Sequence, residues 1–392
     1  MSMAQLALVC AVALIGPLLA LPRRARIPVV VGELLAGVAI GASGLRLVDA
    51  SDPTFAFLGG QIGFALVMFV VGTHVPLRSA ALRSGLGAGA ARAAVVGALA
   101  VPAGLGLAAL FGTHNGLLYA VLIASSSAAI ILPSLGKTPL DGRPLVAMIA
   151  QVAIADTACI VLLPLAIDPT AALRRFTGAL TVVAASIVLY LLLRLVEHSD
   201  GRRRLRAVSE ARGFALELRI SLVLLFAIVA LAQALGVTPM LAGFGAGLAV
   251  AAVGEPRRLA RQLLALSEGF FAPLFFVWLG AGLGLAGVGA HPQLLAVGLG
   301  MGVAAAVVHG VMVVGRQPWP IALLTCAQLG VPVAAVALGR TQGVLAPGED
   351  AALLIGAVIT VAIAAAVNGR VTRIAEATTT VRHPAPGGNH SA

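Results

Sequence analysis

A single acidic residue, Asp156, stands inside an apolar stretch that runs from about Leu145 to Ile167. Placing an ionisable group at the middle depth of a membrane costs about 3 kcal/mol on insertion scales, so such a residue is retained mainly where it faces a polar cavity and binds something. Two other apolar stretches are interrupted, by Ser125-Ser126-Ser127 and by Gln328-Leu329-Gly330-Val331-Pro332. Together these features predict an ion site built around one carboxylate.

One carboxylate that holds either a proton or a small cation, but never both, couples the movements of the two by competition. Burial disfavours the charged form of the group, and a bound cation favours it. Hard cations prefer oxygen ligands. We expect these ligands to come from Asp156, from the hydroxyls of Ser125, Ser126 and Ser127, and from backbone carbonyls at the interruptions, with water completing the shell.

Further polar side chains stand in apolar stretches. Gln151, five residues before Asp156, and Gln328, at the second interruption, are candidate ligands or water-holding groups. A histidine side chain titrates near physiological pH, so His309 is a candidate charge partner for the empty carboxylate. A neutral histidine that is hydrogen-bonded to a backbone carbonyl is an equal alternative for this residue. Asn368 is more typical of a hydrogen bond between neighbouring helices.

The composition indicates where these side chains must lie. Of the 392 residues, 60% are hydrophobic and 10% are charged, whereas a soluble domain carries about 25% charged residues. Apolar stretches of about 20 residues recur along the chain, which predicts an all-α polytopic membrane protein with about 13 transmembrane helices. The predicted segments, numbered in chain order, are 3–21, 27–44, 55–75, 90–111, 116–136, 143–167, 172–195, 214–235, 238–253, 268–288, 292–314, 319–340 and 351–371.

The basic residues of the loops predict an orientation in the cell (inner) membrane. With the N-terminus outside and the C-terminus in the cytoplasm, most arginines fall on the inside, as the positive-inside rule requires. The outside loops then hold Arg46, Arg174, Arg175 and Arg340. The net charge of +11 is explained by these topology determinants and does not indicate a nucleic-acid partner. The three cysteines, in apolar segments, predict neither a disulfide nor a metal site.

Segments 5 and 12 carry the two interruptions, at corresponding positions of two trios, segments 4–6 and 11–13. Interrupted segments in matching places are typical of inverted repeats with a site near the membrane midplane. We therefore predict two crossing broken helices beside Asp156, which lies about 13 residues into segment 6, or roughly 20 Å along a helix. Serine clusters and Gly-Pro kinks taken alone are usually packing features, so their placement relative to Asp156 carries this prediction.

Four stretches carry sequence motifs: RIPVVVGELLAG at 26–37 with Gly41 following, MFVVG at 68–72, the stretch 217–247 that ends in LAGFGAG, and FAPLFFVWLG at 271–280. Together they resemble the Kef/Nap-type branch of the monovalent cation:proton antiporter superfamily, the sodium/hydrogen exchanger family. Each motif is weak by itself, but their combination is specific and covers nearly the whole membrane part of the chain.

The resemblance implies a homodimer in which a dimerisation scaffold supports a mobile core that moves the ion like an elevator. The scaffold would comprise residues 1–84 (segments 1–3) and 213–290 (segments 8–10). The core would comprise residues 85–167 (segments 4–6) and 291–373 (segments 11–13). Residues 168–212 would form a linker helix and a basic cytoplasmic loop, and residues 374–392 a disordered cytoplasmic tail.

The resemblance also places the family's ion-binding carboxylate on Asp156. Members often have a second polar residue just before it, where this chain has Ala155, and a basic residue, often Lys, in segment 11, where the nearest candidate is His309. With one ionisable acid in the pair, we expect electroneutral one-to-one exchange of Na⁺ or K⁺ for H⁺, unless His309 changes protonation during the cycle.

Two other classes of function share this fold. A sodium-coupled symporter of an organic solute would need a wider cavity with more polar groups than the sequence offers. A channel-like or regulatory membrane protein would no longer use Asp156 for coupling. An enzyme is least supported, because the sequence has no nucleophile–base pair or metal-ligand cluster, and no cofactor is expected. The expected partners are Na⁺ or K⁺, H⁺, membrane lipid and a second copy of the chain.

Overall fold

The helical architecture was obtained as a computed structural model that describes residues 1–21, 29–73, 75, 80–135, 142–167, 172–197, 214, 216–254, 257–283 and 291–382. Within these ranges the chain is helical and contains no strand. The prediction of an all-α membrane protein is confirmed. A helix satisfies its own backbone hydrogen bonds, which lipid cannot do, so apolar segments of this length fold as helices.

Several of the described helices are broken, or are continued by π-helical or 3₁₀ geometry. In chain order the α-helices are α1 Met3–Ala13, α2 Ile15–Ala20, α3 Val29–Ile40, α4 Pro53–Phe55, α5 Phe64–Thr73, α6 Ala80–Phe111, α7 Gly116–Ala124, α8 Ala128–Leu135, α9 Arg143–Ile167, α10 Ala172–Glu197, α11 Leu216–Ala234, α12 Pro239–Val253, α13 Arg257–Leu266, α14 Ala272–Ala281, α15 Gln293–Gly310, α16 Trp319–Leu324, α17 Gly330–Gln342 and α18 Glu349–Arg382. Two π-helical stretches, Ala56–Gly63 and Ser267–Phe271, lead into α5 and α14, and a 3₁₀ turn at Val311–Val313 continues α15.

Eight helical stretches of the described chain are long and apolar enough to cross a membrane. They are Met3–Ala20, Pro53–Thr73, Ser84–Phe111, Arg143–Ile167, Phe176–Leu195, Gln262–Ala281, Gln293–Val313 and Glu349–Ile374. Three shorter apolar helices, Val29–Ile40, Leu218–Ala234 and Pro239–Val253, accompany them. The remaining apolar segments are the two predicted to be interrupted, and each is a pair of short helices, α7 with α8 and α16 with α17.

The C-terminal end differs from the prediction. A disordered tail was expected from residue 374, but α18 continues to Arg382. The helix is already formed by the apolar part of segment 13, and extending it adds one backbone hydrogen bond per residue without a new nucleation step. The basic loop expected around residues 198–213 and the last part of the tail, residues 383–392, lie outside the described residues.

Contacts divide the chain into two compact units. The first unit contains Met1–Arg78, Ile160–Ala296 and Val333–Leu354. In it α5 packs on α12, α3 packs on α14, and α10 and α11 also contact α12.

The helices of the first unit cross closely where glycines face one another. A Cβ atom added to Gly37 of α3 would lie 3.0 Å from the Cα of Gly280 in α14 and would collide with the carbonyl of Val277. Similarly, a Cβ atom added to Gly72 of α5 would lie 3.1 Å from the Cα of Gly247 in α12. Small residues at such crossings let backbones approach, which is how helices associate in lipid.

The second unit contains Ser79–Cys159, Val297–Pro332 and Ile355–Ala392. Its long helix α6 has one inward-facing row of side chains, called here the α6 stripe, with the other faces largely exposed. The stripe consists of Gly85, Gly89, Arg92, Val96 and Ala100. Its glycines let α6 approach α9, because a Cβ atom added to Gly85 or to Gly89 would collide with the α9 backbone. This packing holds α9, the helix that carries Asp156.

Candidate functional site

Both helix interruptions lie in the second unit. The first helix, α7, ends at Ala124, residues 125–127 are non-helical, and α8 starts at Ala128. Ser125 caps the end of α7 with extended backbone angles, φ −72° and ψ 152°. Serine hydroxyls compete with the helix for backbone carbonyls, and here Ser125 Oγ lies 2.8 Å from the carbonyl oxygen of Leu122. The serine cluster therefore ends the helix locally.

The second interruption lies between α16, which ends at Leu324, and α17, which starts at Gly330. Pro332 is the third residue of α17. Proline has no N–H, and a residue in the first turn of a helix needs none, so Pro332 fits the start of a half-helix but would break a continuous one. The prediction that segments 5 and 12 are both broken is confirmed.

Hydrogen bonds join the two interruptions directly. Ser126 Oγ donates to the backbone carbonyl of Thr325 at 2.6 Å. Ser125 Oγ lies 2.8 Å from the side-chain oxygen of Gln328. Because the hydroxyl of Ser125 has one proton and also faces the Leu122 carbonyl, it donates to one of these oxygens at a time. Both serines are buried, so these bonds fix the crossing of the two broken helices.

Asp156 lies beside this crossing and is 1% exposed. Its Oδ2 is 3.5 Å from the backbone N–H of Ala128, the first residue of α8. That distance is long for a hydrogen bond, but the N-terminus of a helix carries partial positive charge and favours an anion. Asp156 forms no salt bridge within the described part of the chain. The carboxylate therefore has a helix N-terminus beside it and no cation.

Ser127 precedes Ala128 directly and is also buried. Its backbone carbonyl accepts hydrogen bonds from the N–H groups of Ile130 and Ile131, at 3.2 and 3.0 Å. The first interruption thus ends directly before Ala128, whose backbone N–H faces the acid. The hydroxyls of Ser125 and Ser126 already serve the contact between the two interruptions.

Gln151 occupies a different side of α9. Five residues along an α-helix correspond to roughly 7.5 Å of rise and about 140° of rotation, so its side chain does not share the face of Asp156. Its Oε1 accepts a hydrogen bond from Gln317 Nε2 at 3.2 Å. Both amides are buried, at 0% and 1% exposure, and Gln151 Nε2 and Gln317 Oε1 have no hydrogen-bond partner in the described structure.

The backbone before Gln317 explains how that amide is buried. Arg316 has φ 61°, in the left-handed region, and the N–H of Gln317 donates to the carbonyl of Met312 at 3.1 Å. This closes the end of the α15 helix and its 3₁₀ turn. A left-handed residue other than glycine costs about 1–2 kcal/mol, so the turn is maintained by the contacts that follow it, among them the Gln151 amide.

We expect Gln317→Leu to destabilise the protein by about 1–3 kcal/mol, because the Gln151 amide would then be buried without any partner. The double variant Gln151→Leu/Gln317→Leu should lose less than the sum of the two single variants. The measurement is the thermal unfolding of detergent-solubilised protein. Gln233 and Gln61 form an exposed amide pair at 3.1 Å, and Gln233→Leu is the matched control with a smaller expected loss. Strictly additive single effects would contradict the coupling of the buried pair.

His309 lies on α15 and does not pair with Asp156 in this structure. Its Nδ1 is 2.9 Å from Thr325 Oγ1, at the start of the second interruption. In this structure the ring therefore contacts Thr325 and not the carboxylate for which it was a candidate partner.

Gln328 lies at the crossing of the two broken helices, where its side chain faces Ser125.

Sequence reasoning missed two polar residues that support the crossing, Thr325 and Thr360. It also missed Gln317, the partner of Gln151. Thr360 on α18 accepts a hydrogen bond from the backbone N–H of Gln328 at 3.3 Å and donates to the Ala357 carbonyl at 2.7 Å. The sequence could have indicated both threonines. Thr360 is the single hydroxyl residue of the apolar segment 13, and Thr325 lies close before Gln328, where the second interruption begins in the sequence.

Comparisons with known proteins agree on one family. The family model described as "Sodium/hydrogen exchanger, transmembrane" matches residues 10–371. The putative Na(+)/H(+) antiporter YjbQ of Bacillus subtilis is 30% identical over 296 residues, which are 71% of this chain and 47% of YjbQ. The glutathione-regulated potassium-efflux system protein KefC of Shigella sonnei is 30% identical over 263 residues, 64% of this chain and 40% of KefC. The chain thus spans less than half the length of these relatives.

A solved structure shares the fold. The sodium proton antiporter MjNhaP1 of Methanocaldococcus jannaschii matches with a TM-score of 0.65 over 95% of this chain and 98% of that protein. The sequence identity is 16%, so this likeness concerns the fold.

Proposed function

The chain belongs to the sodium/hydrogen exchanger family of the monovalent cation:proton antiporter superfamily, and from this premise we propose that it exchanges Na⁺ or K⁺ for H⁺ by alternating access. The observation that carries the proposal is Asp156, a buried carboxylate that has no salt bridge within the described residues and faces the N-terminus of a broken helix. The names of the relatives, a putative Na⁺/H⁺ antiporter and a potassium-efflux protein, support this substrate class.

In the proposed mechanism the Asp156 carboxyl holds either a proton or the cation. When the proton leaves, the partial positive charge at the start of α8 stabilises the carboxylate. A dehydrated cation then gains oxygen ligands from Asp156, from Ser125, Ser126 and Ser127, and from backbone carbonyls that the interruptions release from helix hydrogen bonding. Gln328 would hold water near the site, whereas Gln151 stays paired with Gln317 on another face of α9. Protonation on the other side of the membrane expels the cation.

The proposed arrangement within the membrane follows the predicted segments. Segments 1–3 and 8–10 would form the dimerisation scaffold, and segments 4–6 and 11–13 the mobile core, with the N-terminus outside and the C-terminus in the cytoplasm. The second unit holds Asp156 and both interruptions, which supports a common core, while residues 160–167 and Val333–Leu354 of the proposed core group with the first unit. A homodimer is part of the same proposal.

Transport by inside-out vesicles that contain the protein tests this function. Respiration acidifies the vesicle interior, a pH dye reports the acidity, and Na⁺, K⁺ or Li⁺ is then added outside. We expect dye dequenching with at least one of the three ions, because cation entry must release protons. Vesicles without the protein are the control. No response to any of the three ions over the range from acid to alkaline pH would exclude the exchange proposed here.

We further expect the exchange to be electroneutral. Asp156 is the single acid of its pair because Ala155 cannot titrate, so one proton is replaced by one cation. The initial rate of dequenching in proteoliposomes should then be the same with an imposed membrane potential of either sign and with none. A rate that rises severalfold when the vesicle interior is made negative would show that net charge moves and would contradict one-to-one exchange.

A further inference from the structure

His309 is enclosed by apolar side chains in the second unit. The ring is 0% exposed. Its chain neighbour Val308 and the residues one turn away, Ala305 and Met312, belong to a buried hydrophobic cluster whose other members are Val96, Ala100, Ile123, Ala322 and Cys326. Burying a polar ring among apolar side chains destabilises the folded state unless the ring forms a hydrogen bond.

The hydrogen bonds of Thr325 decide which ring nitrogen carries the proton. Thr325 Oγ1 lies 2.7 Å from the carbonyl oxygen of Ala322, which can only accept a hydrogen bond. With the single hydroxyl proton in this bond, the 2.9 Å contact between Thr325 Oγ1 and His309 Nδ1 is made by the ring donating to the hydroxyl oxygen. The neutral ring is accordingly protonated at Nδ1, and Nε2 carries a lone pair.

The surroundings disfavour a positive charge on this ring. The Ile123 carbonyl lies beside it, but Nε2 makes no hydrogen bond within the described structure, and no salt bridge involves His309 there. A buried cation without a carboxylate partner is strongly unfavourable.

The bond from His309 reaches the crossing of the broken helices through one residue. The Thr325 side chain accepts from His309 Nδ1, and the Thr325 backbone carbonyl accepts from Ser126 at 2.6 Å. Fixing the side chain of Thr325 therefore fixes the acceptor that holds the first interruption against the second.

We propose that His309 is a neutral positioning residue, which donates Nδ1–H to Thr325 and so holds the two helix interruptions in register beside Asp156, and is not a cationic partner of that acid. This proposal rests on the proposed function, because it assumes that the two interruptions form the cation site. It also strengthens the expectation of electroneutral exchange, since a ring that stays neutral adds no second titrating group to the cycle.

Two kinds of substitution at His309 distinguish a hydrogen-bond donor to Thr325 from a cationic partner of Asp156: those that keep the donor and those that keep a positive charge. In His309→Asn the amide nitrogen occupies the place of Nδ1, in His309→Gln it occupies the place of Nε2, and His309→Lys supplies a cation. We expect His309→Asn to keep an apparent KM for the cation within about threefold of wild type and an unchanged pH profile. We expect His309→Gln and His309→Lys to raise the apparent KM by about tenfold or more, the effect of one lost hydrogen bond. Only variants that are monodisperse in detergent, and therefore folded, are compared.

The result that would overturn the proposal is exchange by His309→Lys together with failure of a folded His309→Asn. Equal apparent KM values for all three variants would overturn it as well. Thr325→Val, which removes the acceptor, should raise the apparent KM like His309→Gln, and combining it with His309→Gln should add little.

A second readout does not depend on transport. The ¹⁵N NMR spectrum of histidine-labelled protein in lipid, with His309→Asn used to assign the signal among the seven histidines, should show a neutral ring protonated at Nδ1 at neutral pH. A ring protonated at Nε2, or at both nitrogens, would overturn the proposal even if exchange is observed. If no cation is exchanged but the Nδ1–H signal is present, the proposed function fails while the hydrogen bond stands.

Discussion

Asp156→Asn is expected to reduce cation-driven dye dequenching to the level of vesicles without the protein. Asparagine has almost the same shape but cannot release a proton or carry the charge that binds a cation, so competition at the site is lost. Asp156→Glu keeps a carboxylate but moves it by one methylene group, and its exchange should be reduced yet measurable. The measurement is the initial rate of dequenching over a range of cation concentrations.

The same variant should fold at least as well as wild type. Asp156 is buried without a salt bridge in the described chain, and replacing an unpaired ionisable group by a neutral amide removes a desolvation cost. Its thermal unfolding in detergent should therefore occur at an equal or higher temperature. Asp49→Asn is the matched control, since Asp49 accepts hydrogen bonds from Ser51 in an exposed loop and should keep full exchange. Wild-type rates in Asp156→Asn would exclude this residue as the shared site.

The parts of the candidate site that could be predicted from the sequence are residues that are energetically unfavourable in an apolar helix by themselves. An acid in an apolar segment, as at Asp156, and polar or Gly-Pro interruptions of apolar helices are unfavourable unless tertiary structure compensates for them. They are therefore visible in one sequence. The helical class of the chain follows for the same reason, because lipid leaves the backbone few other choices.

The partners of these residues could not be predicted in the same way. Gln151 was expected near Asp156 from its spacing of five residues, but the rotation of the helix turns it towards Gln317, which lies 166 residues away in sequence. His309 was considered as a charge partner, but its ring binds Thr325. Such pairings depend on how helices pack around their axes, and periodicity within one segment does not contain that information.

Gly72→Leu in α5 is expected to prevent the first unit from packing correctly. A Cβ atom at this position would collide with the Phe244 carbonyl and lie 3.1 Å from the Cα of Gly247. The obstacles are backbone atoms of α12, which cannot rotate away as a side chain can, so the helices must separate. Overpacking of this kind costs about 1–3 kcal/mol even for side-chain contacts, and a backbone collision should exceed that. The expected result is little monodisperse protein in detergent.

A glycine with free space around it provides the matched control. No atom lies within 4 Å of a Cβ atom added to Gly97 of α6, so Gly97→Leu should give monodisperse protein with unchanged or slightly higher thermal stability, because leucine favours helix more than glycine by roughly 0.8 kcal/mol. Gly72→Ala should be intermediate between Gly72→Leu and wild type. If Gly72→Leu and Gly97→Leu both unfolded at the same temperature as wild type, the α5–α12 crossing would not be closed by backbone contact, and the first unit would owe its packing to other contacts.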